Sequence, residues 1–292
     1  MTDSTQGRSR FLTTRDDRRL HAAQLDGPVG SPTVVFEAGA GGTRSGWAAV
    51  QPAVAEFGTA VAYDRSGLGR SAPDTQDRTF SRMANDLNDL LDGLAADDPD
   101  RRFILVGHSL GGPIVRLAAA QRPERVHGLV LVDPSDEGLG EKLRPPFPYA
   151  DTVIITALRA LSRIGVTRLL VGLVSGDVPA DVKADLARES TTSAAIDTMQ
   201  KELSTFRTEL PAWQDAPPDI GDIPFTIISG VKADRAPKIR AAMNAAHARQ
   251  AASPRGRQVL AENSGHQIPL TDPELIVEEI RRLVSGPAAE KD

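Results

Sequence analysis

Arg102-Phe103-Ile104-Leu105-Val106-Gly107-His108-Ser109-Leu110-Gly111-Gly112-Pro113-Ile114-Val115-Arg116-Leu117-Ala118-Ala119-Ala120 is the stretch whose reading decides the fold. Arg102 to Val106 reads as a buried strand, and Pro113 to Ala120 as a helix. Between them lies Gly-x-Ser-x-Gly. With Gly at 25 of 292 residues, chance alone supplies about 0.1 such matches in a chain of this length. The pentapeptide gains weight from its setting, because a strand-turn-helix is what it requires. A serine on so sharp a turn takes a strained backbone conformation, and side chains two positions to either side would clash. The turn lifts the Ser109 hydroxyl out of the sheet. The helix that follows points free N–H groups at the same place, so the Leu110 N–H can face a developing oxyanion.

Outward from this turn, strands and helices alternate. Arg10 to Thr14 and Leu20 to Leu25 flank Asp16-Asp17 and predict an opening hairpin. Thr33 to Glu37 and Ala60 to Tyr63 read as buried strands, Ser45 to Phe57 as a helix. Met83, Leu87, Leu90, Leu91 and Leu94 have helical spacing within Phe80 to Leu94. Gly128 to Val132 is a further strand. From Ser135 to Asp222 the rhythm breaks into helical patterns and proline clusters with no convincing strand. It resumes with a strand at Phe225 to Ile228, a helix at Pro237 to Ala252, a strand at Gln258 to Ala261 and a helix at Pro273 to Val284. Near-continuous apolar strands alternating with helices predict a mostly parallel sheet covered on both faces.

Composition narrows the function classes. A net charge of −5 gives no electrostatic case for nucleic acid or an anionic membrane, and the absence of Cys excludes disulfides, thiolate nucleophiles and Cys-ligated zinc. No Gly-Lys-Ser/Thr loop and no His-Glu-x-x-His is present, so nucleotide and zinc chemistry lack their usual hardware. No metal and no cofactor is expected. The polar Met1 to Arg10 segment has no apolar core of a secretory signal. In the most apolar stretch, Val153 to Val174, Arg159, Arg163 and Arg168 each oppose a bilayer span. A small-molecule substrate, no stable membrane insertion and a cytoplasmic location are the expectations; the oligomeric state stays open.

On these blocks the sequence resembles the α/β-hydrolase family from about Phe11 to Val284. The resemblance rests on Gly107 to Gly112, on Tyr63-Asp64-Arg65-Ser66-Gly67-Leu68-Gly69-Arg70-Ser71, on Ile227-Ile228-Ser229-Gly230 followed by Asp234, and on Ser264-Gly265-His266. It implies an eight-stranded sheet in a core of residues 1–134 and 223–292, with a helical cap at 135–222. It also implies a triad in the order nucleophile, acid, histidine, which Ser109, Asp234 and His266 match. Asp133, at the end of the Leu129 to Val132 strand, also faces the carboxyl edge of the sheet and is the alternative acid. His21, His127 and His247 read more simply as structural or solvated. His108 holds the variable position of the pentapeptide and is a pocket-lining candidate.

The resemblance puts a second oxyanion N–H in Glu37-Ala38-Gly39-Ala40-Gly41-Gly42, at Ala40. Many family members have His-Gly where this chain has Ala38-Gly39. Gly39, Gly41, Trp47 and Phe147 complete the substrate-binding candidates, and the apolar residues of the cap favour a hydrophobic ester. Three readings follow. The first is a serine hydrolase that cleaves a carboxylic ester through an acyl-enzyme. The second is the same site acting on a lactone, thioester, amide or C–C bond, or in perhydrolysis. The third is a non-catalytic receptor that keeps the pocket. Serine at the turn argues against dehalogenase or epoxide hydrolase chemistry, which uses aspartate there.

Overall fold

The computed structural model describes residues 4–139, 150–168, 178–232 and 237–285. Its centre is an eight-stranded sheet in the order β1-β2-β4-β3-β5-β6-β7-β8. The strands are β1 (Arg8–Thr13), β2 (Arg19–Leu25), β3 (Thr33–Glu37), β4 (Thr59–Tyr63), β5 (Phe103–His108), β6 (Val126–Val132), β7 (Phe225–Gly230) and β8 (Gly256–Ala261). The expected opening hairpin is β1-β2, and β2 also pairs antiparallel with β4; every other pair is parallel. An α/β architecture with a mostly parallel sheet is therefore what the chain adopts.

Strand alternation divides the core in two. Val35, Leu105, Leu129 and Leu131 face one side, where they pack with Met83, Leu87 and Leu91 of α2 (Phe80–Leu94) and Ile114 and Val115 of α3 (Gly111–Gln121). Val34, Phe36, Ile104, Val106, Val130 and Val132 face the other, against Trp47, Val54 of α1 (Gln51–Ala55) and Ile276, Ile280 and Leu283 of α9 (Pro273–Ser285). The α2 helix begins where its cap dictates, with the Thr79 hydroxyl accepting from the Arg82 N–H at 3.0 Å. The helix expected over Ser45 to Phe57 is instead a 3₁₀ turn at Arg44–Trp47 and the short α1, which carries Pro52 in its first turn.

Between β6 and β7 the described residues contain only helices. These are a 3₁₀ turn at Glu137–Leu139, α4 (Ala150–Arg163), α5 (Ala180–Glu189), α6 (Ser193–Glu209) and a 3₁₀ turn at Leu210–Gln214. The core then resumes with α7 (Pro237–Ala251) and α8 (Ile268–Thr271) beside the last strands. No helix among the described residues is long and apolar enough to cross a membrane.

The join of β5 to α3 leaves no room at its glycines. A Cβ on Gly107 would fall 2.5 Å from the Gly111 carbonyl oxygen, and one on Gly111 would fall 2.5 Å from the Glu37 carbonyl oxygen. Both obstacles are backbone and cannot swing aside. Gly107→Ala should therefore lower the unfolding free energy by about 1–3 kcal/mol, as overpacking does in a close-packed site. Urea denaturation checks this, and a loss below about 0.5 kcal/mol would contradict it.

Candidate active site

Ser109 stands where strand turns to helix, at φ +53°, a left-handed conformation that a non-glycine residue adopts only at a cost. Its hydroxyl lies 3.0 Å from His266 Nε2. His266 comes from the loop between β8 and α8, and its Nδ1 lies 2.7 Å from Asp133 Oδ2. The carboxylate fixes the tautomer. Nδ1–H donates to Asp133, which leaves the Nε2 lone pair to accept the Ser109 hydroxyl proton. Asp133 is the residue directly after β6 and also has positive φ, +40°. All three side chains thus project from the carboxyl ends of parallel strands.

The structure places the alternative acid, Asp133, against His266, while Asp234, the first-named acid, lies outside the described residues. The physical reason is the turn at Asp133. Its N–H donates to the Ile228 carbonyl at 2.7 Å, and the strained backbone swings the carboxylate over the sheet edge toward His266. Asp133 is fully buried, and its second oxygen accepts from the Gly230 N–H at 3.1 Å and from Arg240 Nη1 at 2.6 Å. Burial alone would push this carboxyl up. Hydrogen bonds from His266 and Arg240, with their positive potential, hold it well below the usual carboxylate range instead. Arg240, on α7, carries no motif in the sequence that would have marked it.

Gly39 and Ala40 lie beside Ser109 around a cavity of about 360 Å³. Its described lining also includes Trp47, His108, Leu203, His266 and Leu270, and contains no Asp, Glu, Lys or Arg. A larger cavity, about 630 Å³, lies among Arg116, Glu137, Gln214 and Arg249 and does not touch Ser109, so size alone does not locate the site. Leu110 follows Ser109 as the residue that caps α3, as the strand-turn-helix reading requires. Gly41, expected at the pocket, is turned away from it. Its N–H donates to Glu202 Oε2 of α6 at 2.8 Å, and at φ +66° a Cβ there would fall 2.7 Å from Met199 Cγ. Phe147 lies outside the described residues. Trp47 lines the cavity while its ring is buried against Phe36, with centroids 5.0 Å apart.

The other histidines separate. His21 is buried, with Nδ1 3.0 Å from Asp64. His247, read as structural or solvated, is structural: it is fully buried between the Ser229 hydroxyl and the Pro134 carbonyl, 2.9 Å from each. Ala246 and His247 are the buried residues of α7, which packs beside β7. His108 packs edge-on to Trp47 and donates from Nε2 to the backbone carbonyl of His266 at 2.8 Å, bracing the loop that carries that histidine.

The profile of the alpha/beta hydrolase family matches residues 34–279. An AB hydrolase superfamily protein of Gibberella zeae is 29% identical over 316 residues, which cover 97% of this chain and 93% of that protein. Among solved structures, a hydrolase from Pseudomonas aeruginosa superposes with TM-score 0.66 at 21% identity, over 96% of this chain and 99% of that one. An esterase from Exiguobacterium antarcticum superposes with TM-score 0.69 at 17% identity, over 96% and 100%. At these identities the superpositions speak to the fold.

Burial, and then the neighbouring His266, push the His108 imidazole down to about 4. A histidine buried neutral withholds stability as pH falls, because the unfolded chain takes up a proton near 6.5 that the folded chain refuses until about 4. Between pH 7.5 and 4.5 the wild type should lose about 2 kcal/mol more unfolding free energy than His108→Gln. Parallel losses in urea titrations at the two pH values would contradict this.

Proposed function

Since the chain belongs to the alpha/beta hydrolase family, we propose that it is a serine hydrolase that cleaves a carboxylic ester through an acyl-enzyme. The observation that carries this is the unbroken hydrogen-bonded chain from Ser109 through His266 to a buried, ionised Asp133. In this reading Ser109 Oγ attacks the ester carbonyl while His266 Nε2 takes its proton. Asp133 keeps Nδ1–H and stabilises the imidazolium without itself being protonated, which fits a carboxyl held far below its ordinary range. The Ala40 and Leu110 N–H groups receive the oxyanion. His266 then returns the proton to the departing alcohol and activates the water that frees the acid.

The lining supports an uncharged substrate. No ionic side chain among the described residues of the cavity offers a partner to a charged acyl group, and Trp47, Leu203, Pro269 and Leu270 present apolar surface. The helical insertion between β6 and β7 acts as the cap over this cavity, with Leu203 of α6 contributing to its wall.

A set of p-nitrophenyl esters of increasing acyl length tests the reading. Ser109→Ala should abolish turnover. Asp133→Asn should lower kcat on the order of 10⁴-fold, as loss of the orienting carboxylate does in a serine-histidine-aspartate site. Asp234→Asn should stay within about threefold of wild type, a change worth under 1 kcal/mol in the barrier. Equal collapse of the Asp234→Asn and Asp133→Asn variants would overturn the assignment of the acid, and turnover that survives Ser109→Ala would overturn the mechanism.

A further inference from the structure

The loop that carries Ala40 is held from one side by the core and from the other by the insertion. Arg65, 1% exposed, uses all five of its N–H donors. Its Nη1 donates to Glu37 Oε1 at 2.5 Å and to the Ala38 carbonyl at 2.6 Å. Its Nη2 donates to the Gly39 carbonyl at 2.7 Å and to Glu202 Oε2 at 2.9 Å, and its Nε to Glu202 Oε1 at 2.7 Å. Glu202, on α6 of the insertion, is fully buried. Its Oε2 takes one further hydrogen bond, from the Gly41 N–H at 2.8 Å.

These contacts bracket Ala40. The Gly39 carbonyl and the Ala40 N–H belong to one trans peptide, so they point in opposite directions. Arg65 on the carbonyl therefore sets the direction of the N–H. The next peptide carries the Gly41 N–H, and Glu202 holds it. Glu202 touches both fixings, one directly and one through Arg65. It comes from 161 residues further along the chain than Gly41, on an element outside the sheet domain.

We propose that Glu202 is a positioning residue by which the insertion aims the Ala40 N–H at the reacting carbonyl, so that the oxyanion site is complete only while α6 is docked on this loop. The inference rests on the serine hydrolase reading. Through Glu202, docking of the insertion then acts on the transition state, where the oxyanion forms, apart from the wall that Leu203 offers the bound substrate. Misdirecting one oxyanion donor lowers kcat and leaves KM nearly unchanged.

Two variants separate reach from charge. Glu202→Gln keeps an oxygen at the Gly41 N–H and turns an amide NH₂ toward Arg65, which costs stability. Glu202→Asp keeps the charge and withdraws the carboxylate by one methylene from Gly41. With p-nitrophenyl acetate, Glu202→Gln should hold kcat within about threefold despite a lower Tm. Glu202→Asp should lose about 10–100-fold in kcat, a fraction of what deleting a whole donor costs, with KM within about threefold. An Asp variant with wild-type kcat, a loss that falls on KM, or kcat losses in both variants that follow their Tm values would overturn the proposal. Should neither variant fold, amide hydrogen exchange on the wild type decides. A protected Gly41 amide supports the proposal, and exchange at the rate of a free loop overturns it. Wild-type protein that fails to turn over the ester removes the hydrolase reading and this proposal together. An active wild type beside an unaffected Asp variant removes the proposal alone.

Discussion

The helix that leaves Ser109 must cross the strand that enters it at backbone contact, and the rest of the site depends on that constraint. Gly107 and Gly111 permit the crossing because any Cβ would strike a carbonyl oxygen at 2.5 Å. Ser109 is then forced to φ +53°, half-buried at the edge of the sheet with its hydroxyl toward His266 and the start of α3 behind it. Asp133 repeats the arrangement one strand away at φ +40°. Strain at two non-glycine residues, of order 1–3 kcal/mol each, persists because the surrounding strands over-determine it. The return is a serine, a histidine and a carboxylate held in line by elements that cannot easily move.

Charge is arranged around this line with the same economy. Asp133 is buried yet ionised because His266 and Arg240 each donate to it. His108 is buried and neutral, so it braces the His266 loop without placing a second cation next to the imidazole. The loop bearing Ala40 depends on Arg65, whose removal would leave buried carboxyl groups of Glu37 and Glu202 without their shared donor. Breaking a buried pair from one side is commonly worth 3–5 kcal/mol. The ionic groups therefore act as fasteners between loops more than as contributors to the core, which remains the alternating Val, Leu and Ile of the sheet.

Local pattern made the sheet and the serine readable. The β5 turn carries its glycines in sequence, and the periodicity of α2 runs from Phe80 to Leu94, as its structure does. The acid was less legible because two aspartates follow parallel strands at the same edge, and spacing cannot say which backbone bends toward His266. The positive φ at Asp133 turns that carboxylate toward His266, and nothing in Val132-Asp133-Pro134 announces it. Gly41 was misread for a related reason: a glycine loop states where the chain is free to turn, not which side of the loop faces the cavity. Arg240 and Glu202 were invisible because their partners lie 107 and 161 residues away, and in sequence each is an ordinary charge on an ordinary helix.

The proposed chemistry stands on Ser109 acting as a nucleophile activated by His266. Its most direct measurement is intact-mass and peptide mapping after treatment with a fluorophosphonate, alongside His266→Ala. A single adduct is expected, on the peptide that contains Ser109, and it should form at least about 10²-fold more slowly in the variant, as loss of a positioned general base requires. No adduct on the wild type, an adduct on another residue, or equal labelling of the two proteins would contradict it.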